Sequence, residues 1–86
     1  KILVCDDQPD IVNALKIYLV PEGYTVLTAS DGLQAVAAVR EQEPHLILLD
    51  VMMPKMDGIS ALRQIRKFSN IPIILLRLSI SPPVMV

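Results

Sequence analysis

Two patterns of apolar and polar positions alternate along the chain, one typical of buried strands and one typical of helices. Residues 2–5, 46–49 and 73–76 are short, almost wholly apolar runs, which are typical of strands buried on both faces of a sheet. Residues 24–29 are interpreted as a further strand. In the segments between these runs, apolar residues recur every three or four positions, which predicts helices. The resulting order β-α-β-α-β-α-β indicates a parallel sheet with right-handed crossovers and helices on both faces.

Capping and helix-breaking residues bound the three predicted helices. Pro9 suits the first turn of the first helix, with Asp7 or Gln8 as its cap. Asp31 and Asp57 are the predicted caps of the second and third helices. The positions expected on the apolar helix faces are Ile11, Val12, Leu15 and Leu19, then Leu33, Val36, Ala37 and Val39, and finally Ile59, Leu62 and Ile65.

Composition narrows the class of protein. The chain has 86 residues, which is one domain, and 52% of them are apolar, which excludes a disordered tail. A net charge of −1 does not provide the excess of positive charge that indicates binding to nucleic acid or to an anionic membrane. Because every apolar stretch is shorter than about 18 residues, we expect no membrane span. The one cysteine, Cys5, is expected to be a small buried hydrophobic residue, and its lack of a disulfide partner fits a reducing cytosol.

Three carboxylates stand where two predicted strands end. Asp6 and Asp7 follow the first strand directly, and Asp50 follows the third. In an open parallel sheet these strand ends border the crevice where ligands bind, so the three side chains should converge there. Converging carboxylates repel one another unless a cation joins them, and oxygen ligands suit Mg²⁺. Either Asp6 or Asp7 could instead cap the first helix. A carboxylate held beside Mg²⁺ is well placed to accept a phosphoryl group.

Other polar side chains have ordinary explanations. Asp57 is expected to cap the third helix and not to be a ligand. Lys55 could attract phosphate, although a solvated surface lysine is the simpler interpretation. His45 precedes the third strand at the opposite end of the sheet and is expected to be a loop residue. Met52, Met53 and Met56 are expected to form a soft apolar loop.

The segments LVCDDQPD, SDGLQAV and LILLDVMMPKMDG carry a resemblance to a known family. Through them, residues 1–76 closely resemble the receiver domain of two-component response regulators. The fold that this resemblance implies is α/β, a flavodoxin-like doubly wound parallel sheet with strand order 2-1-3-4-5.

The resemblance also implies roles for individual residues. Asp50 would be the phosphoacceptor. Asp7 would bind Mg²⁺ directly, Asp6 would help through water, and the backbone carbonyl of Met52 would be a further ligand. The implied phosphodonor is a phosphohistidine on a sensor histidine kinase. The implied protein is a cytoplasmic signalling module and not an enzyme.

The chain departs from the family pattern after residue 76. Arg77 follows the fourth strand where the family carries Ser or Thr, and Ser79, two residues later, is not a match. The lysine after a fifth strand is also missing, as are that strand and the last two helices. We therefore expect a partial receiver domain over residues 1–76 and an unrelated tail over 77–86. A truncated, frame-shifted or engineered sequence would explain this, and the switch to an output state would be impaired.

These departures keep other functions open. A fourth strand with an uncovered edge predicts weak stability and a homo-oligomer formed through that edge. The main alternative is therefore a non-signalling interaction fragment. An Asp-dependent phosphohydrolase is less favoured, because the nucleophile would follow the third strand and a general acid is not apparent. A dinucleotide-binding domain is disfavoured because the first strand is not followed by G-x-G-x-x-G.

Overall fold

The computed structural model describes residues 1–76 and 84–85 of the chain. Its strands are β1 (Ile2–Cys5), β2 (Val26–Ala29), β3 (Leu46–Asp50), β4 (Ile73–Leu76) and β5 (Val84–Met85), and its helices are α1 (Pro9–Leu19), α2 (Gly32–Gln42) and α3 (Gly58–Arg66). All five strands form one sheet in the order β2-β1-β3-β4-β5. The first four strands are parallel, which confirms the predicted flavodoxin-like fold. The predictions for Arg77 and Ser79 lie outside the described residues.

One face of the sheet forms the hydrophobic core. Leu3, Ile47 and Ile73 occupy matching positions on three neighbouring strands, and all three are fully buried. They cluster with apolar residues of α2 and α3, including Ile65. Parallel strands are normally covered on both faces, and here the two helices supply the cover for this one.

The other face is less completely covered. Leu48 and Ile74 are register partners on β3 and β4, and both are only half-buried. Helix α1 contacts β1 and β2, which lie at the opposite edge of the sheet from β4. The two faces of β3 therefore differ, since Leu49 on the core face has no exposed surface.

The expected open edge on β4 is a prediction that the structure corrects. Ile74 pairs with Met85 and Leu75 pairs with Val84, in antiparallel register. Residues 77–83 are too few for the dozen or more residues that a parallel crossover needs, whereas an antiparallel return needs only a short connection. Part of the edge is thus occupied by the chain itself, and the added strand is not a parallel one.

Further details of the sequence prediction were wrong, among them Ile59, which was placed on the apolar face of α3 and is 36% exposed. The second strand begins at Val26 and not at Tyr24. Leu33, which was placed on the apolar face of α2, is 53% exposed. The buried side of α2 is formed by its small residues, among them Ala35. Positions two apart on a helix point about 200° away from each other, so a buried Ala35 turns Leu33 and Ala37 toward solvent.

The predicted caps of the second and third helices are confirmed. Asp31 Oδ1 accepts a hydrogen bond from the Gln34 N–H at 2.8 Å, and Asp57 Oδ1 accepts one from the Ser60 N–H at 2.8 Å. Gln8 occupies the cap position of α1. Over residues 1–76 and 84–85, the helices are all too short or too polar to cross a bilayer.

Candidate metal centre

Three carboxylates meet at the carboxyl edge of the sheet. β1 and β3 are adjacent and parallel, with Cys5 opposite Leu49, so the residues that follow them emerge at the same level. Asp6, Asp7 and Asp50 each offer an oxygen, and these oxygens all lie within 4.8 Å of one another. The structure therefore brings together the three acidic residues that the sequence analysis singled out.

Two of these carboxylates are buried and incompletely hydrogen-bonded. Asp6 is 2% exposed and Asp50 is 0% exposed, whereas Asp7 is open to solvent. Among the described residues, Oδ2 of Asp6 and Oδ2 of Asp50 have no hydrogen-bond partner. A buried carboxylate oxygen without a partner is costly, so such an atom points to a bound group that would satisfy it.

The other oxygen of each buried carboxylate holds the backbone that follows it. Asp6 Oδ1 accepts a hydrogen bond from the Gln8 N–H at 2.9 Å. Asp50 Oδ1 accepts one from the Met52 N–H at 3.1 Å. The bond to Asp6 forms a turn just before α1 and does not cap the helix, whose cap residue is Gln8 and which has no side-chain capping bond, so the alternative role of Asp6 as a helix cap is wrong. Asp6 retains one oxygen that the backbone does not use.

The electrostatics of the cluster favour a cation. Burial raises the pKa of Asp50 above the usual aspartate value, and the charges of Asp6 and Asp7 raise this pKa further, against a lowering by the Met52 N–H. Burial also raises the pKa of Asp6; the Gln8 N–H lowers it in part, and Asp7 raises it. A cation among the three would favour their charged forms and reverse these shifts.

The donor set fits a hard divalent ion. Mg²⁺ prefers about six oxygen ligands and retains several waters, and it is usually held by only one or two protein carboxylates. Two buried carboxylates and the exposed Asp7 supply such oxygens, and the exposure of Asp7 leaves room for water. Asp6 and Asp7 also border a cleft of about 220 Å³, which extends to Val12 of α1 and Gln34 of α2.

The remaining candidate residues lie outside this cluster. Lys55 Nζ is 3.6 Å from Asp31 Oδ2, so it pairs with an aspartate of another loop. His45 Nδ1 is 2.9 Å from the amino-terminal nitrogen of Lys1. Cys5 is buried as predicted, and burial, together with the charge of Asp6, raises the pKa of its thiol to about 12.

The methionines of the connection between β3 and α3 have different environments. Met53 is buried in the core, whereas the side chain of Met52 is 73% exposed. An exposed side chain leaves the backbone of Met52 as the part of this residue that is tied to the site, through its N–H bond to Asp50. The expected soft apolar loop is therefore buried at Met53 and exposed at Met52.

Sequence analysis missed one contact near the site. The Gly32 N–H donates to the Met56 carbonyl at 3.0 Å, which joins the start of α2 to the connection after β3. A signal for it was present, because both α2 and α3 begin with the dipeptide Asp-Gly, at residues 31–32 and 57–58.

The fold and the acidic cluster together define a flavodoxin-like α/β domain with three aspartates gathered at the carboxyl edge of its parallel sheet. A family model described as the response regulator receiver domain matches residues 2–85. The chain belongs to this family, the receiver domains of two-component response regulators.

Individual proteins in the family are similar over most of the chain. The chain is 47% identical over 76 residues to the probable transcriptional regulator ycf27 of Pyropia yezoensis, which is 88% of this chain and 31% of that protein. It is 46% identical over 76 residues to the DNA-binding response regulator MtrA of Mycolicibacterium smegmatis, again 88% of this chain and 33% of that protein. The chain thus spans about a third of the length of these relatives.

Solved receiver structures superpose closely. The BeF3-activated N-terminal receiver domain of RstA from Klebsiella pneumoniae is 30% identical, with a TM-score of 0.86 over 93% of this chain and 68% of that one. CheY of Borrelia burgdorferi provides a second comparison, in the CheX–CheY–BeF3–Mg²⁺ complex. That match is 34% identical, with a TM-score of 0.85 over 91% of this chain and 61% of that one.

Proposed function

We propose that this chain is a Mg²⁺-dependent phosphoacceptor domain that is phosphorylated on Asp50 by a sensor histidine kinase. The observation that carries the proposal is the pair of buried carboxylate oxygens on Asp6 and Asp50 that lack partners among the described residues, within the cluster completed by Asp7. Membership of the receiver family supports the same assignment. So does the complex of a similar CheY with BeF3 and Mg²⁺.

Each ligand has a separate role in the proposed site. Asp7 and Asp50 would bind the ion directly, Asp6 would bind it through water, and the Met52 backbone carbonyl would supply one more oxygen. The ion, when bound, offsets the repulsion between an anionic nucleophile and an anionic donor. Two like charges about 4 Å apart repel by about 4 kcal/mol at an effective dielectric constant of 20, so this offset is large.

The transfer step needs little from the protein beyond position and charge. An Asp50 carboxylate oxygen attacks the phosphorus of the phosphohistidine, and an O–P bond forms as the N–P bond breaks. The electron pair of the broken bond goes to the imidazole nitrogen, which then takes up a proton. The Met52 N–H, bonded to Asp50 Oδ1 at 3.1 Å, holds the carboxylate in a defined orientation throughout.

The wider setting is also proposed. Family membership supports a kinase partner, a cytoplasmic location and action as a phosphoacceptor and not as an enzyme. Several relatives are named as transcriptional regulators, so we propose that the chain serves a regulator of that type. Its net charge of −1 supports a role without direct contact to nucleic acid. An impaired output is proposed because Arg77 stands where the family carries a hydroxyl.

The division into a receiver part, residues 1–76, and a tail, residues 77–86, stays a proposal. The 76-residue span of the matches to curated relatives supports it. The match of the family model as far as residue 85 argues against a sharp boundary at this point.

A second candidate is a non-signalling interaction fragment that associates with itself. The observation that favours it is the half-buried apolar face that includes Leu48 and Ile74. Since β5 already pairs with part of β4, we assign any such association to this face and not to the strand edge. Light scattering at high micromolar concentration checks it, and a monomer would count against it.

Phosphate uptake discriminates between the two functions. The chain is incubated with an acyl phosphate and Mg²⁺, and the bound phosphoryl group is counted by intact mass. The wild type should gain one group and Asp50→Asn none, while Asp10→Asn, an exposed aspartate outside the cluster, should behave as the wild type. A wild type that stays unmodified under these conditions overturns the phosphoacceptor proposal.

Binding of the ion is measured separately by NMR. Titration with Mg²⁺ should shift the backbone resonances of Asp7, Asp50 and Met52. Spectra that do not change at these three residues would favour the interaction fragment.

A further inference from the structure

The connection between β3 and α3, residues 51–57, is held at both ends by the first N–H group of a helix. We call it the β3–α3 loop. The Gly58 N–H, at the start of α3, donates to the Val51 carbonyl at 3.0 Å. The Gly32 N–H, at the start of α2, donates to the Met56 carbonyl at 3.0 Å. The first N–H groups of a helix lack partners within the helix, so two loop carbonyls satisfy them here.

Both contacts need glycine at the helix start. A Cβ placed on Gly32 would overlap the Met56 carbonyl oxygen, and one placed on Gly58 would overlap the Asp50 carbonyl oxygen. The neighbouring atoms are backbone, which cannot swing aside as a flexible side chain would. Any larger residue at position 32 therefore has to push the β3–α3 loop away from α2.

The aspartate before Gly32 adds a link through its side chain. Asp31 is 4% exposed, and its Oδ1 caps the helix by accepting the Gln34 N–H. Its Oδ2 lies 3.6 Å from Nζ of Lys55, a loop residue with a φ of 64°. The Lys55 side chain is 66% exposed, so this ion pair is weaker than the backbone contact made by Gly32.

We propose that Asp31 and Gly32 are positioning residues, which hold the β3–α3 loop so that the Met52 carbonyl is presented to Mg²⁺. This inference rests on the proposed function, which assigns Met52 as a ligand. Mg²⁺ demands near-ideal octahedral geometry, so displacement of one carbonyl weakens its binding. The start of α2 thereby belongs to the phosphoacceptor site, and Asp31 and Gly32 act on it through the loop.

The test measures how the rate of phosphate uptake from an acyl phosphate depends on Mg²⁺ concentration, which separates ion binding from the maximal rate. Gly32→Ala should raise the half-saturating Mg²⁺ concentration by roughly 10-fold or more, the effect typical of losing an outer-shell contact to a metal ligand. The matched control is Ala37→Gly, at an exposed site of the same helix, which weakens α2 without touching the loop. Its half-saturating concentration should equal that of the wild type.

A second variant covers the case in which Gly32→Ala does not fold. Asp31→Asn keeps an oxygen for the Gln34 N–H and loses the charge that faces Lys55. It should raise the half-saturating concentration by about two- to fivefold. If the folded variants match Ala37→Gly, the positioning role is overturned. If the wild type itself takes up no phosphate, the proposed function has failed instead, so the two failures are distinguishable.

Discussion

Asp6 directly follows β1 and Asp50 is the last residue of the adjacent parallel strand β3, and each buries a carboxylate oxygen that the rest of the described chain leaves without a hydrogen bond. Folding brings one oxygen each of Asp6, Asp7 and Asp50 within 4.8 Å of one another, which is close enough for the three to share one ion. Their burial raises the pKa values of both Asp6 and Asp50. The cluster therefore opposes folding when no cation is bound, and supports it when one is.

Removing one charge from the cluster should stabilise the ion-free protein. Asp50→Asn relieves the repulsion from Asp6 and Asp7, so we expect the free energy of unfolding in EDTA to increase, by less than the about 4 kcal/mol with which two like charges about 4 Å apart repel at an effective dielectric constant of 20. Urea denaturation followed by circular dichroism measures it. Asp10→Asn removes a charge from the first turn of α1 and should not stabilise. A destabilised Asp50→Asn would contradict this account.

The stability of the ion-free protein should rise as the pH falls from 7 toward about 4. Raised pKa values mean that folded Asp6 and Asp50 bind more protons than they do in the unfolded chain, where an aspartate titrates near about 3.9. Stability is thus lost as the pH rises through the folded pKa values. Asp57 acts in the opposite direction, because the hydrogen bond from the Ser60 N–H lowers its pKa. Its contribution to stability is lost as the pH falls below about 3.9.

Thermal denaturation in EDTA across this pH range checks the effect. Asp50→Asn should show a flatter profile than the wild type, since one of the two responsible groups is gone. A wild-type stability that increases between pH 4 and 7 would show that the buried pair does not control the profile.

Mg²⁺ should stabilise the wild type, because it binds the folded cluster and not the unfolded chain. At 100 times the dissociation constant, the gain in free energy of unfolding is about 2.7 kcal/mol. Asp7→Asn should lose most of this gain, and Asp10→Asn should keep it. A melting temperature that Mg²⁺ raises equally in both variants would place the ion elsewhere.

The two faces of β3 should tolerate truncation differently. Leu49 is fully buried in the core and Leu48 is half-buried on the other face. We expect Leu49→Ala to lower the free energy of unfolding by about 2–5 kcal/mol and Leu48→Ala by clearly less. Since a domain of this size has few kcal/mol to lose, Leu49→Ala should be largely unfolded at 37 °C. Equal losses, measured by urea denaturation, would mean that the second face is covered in solution.

Short-range patterns in the sequence predicted much of the fold. Asp31 and Asp57 cap helices because an aspartate oxygen reaches an N–H three residues ahead, whatever surrounds it. The convergence of Asp6 and Asp50 was predictable because parallel strands direct their carboxyl ends to one edge. By contrast, the orientation of α2 was wrong at Leu33, since packing of small alanines against the sheet outweighed the largest apolar side chain.

The sequence by itself therefore determined the order of the three α-helices and the four parallel strands, the caps of α2 and α3, and the placing of three carboxylates at one edge. Each of these follows from local spacing or from the direction of a parallel strand. Only the tertiary structure decided that β5 returns antiparallel beside β4 and that Gly32 meets Met56. Both depend on the distance between segments remote in sequence, and close packing of backbone against backbone sets that distance.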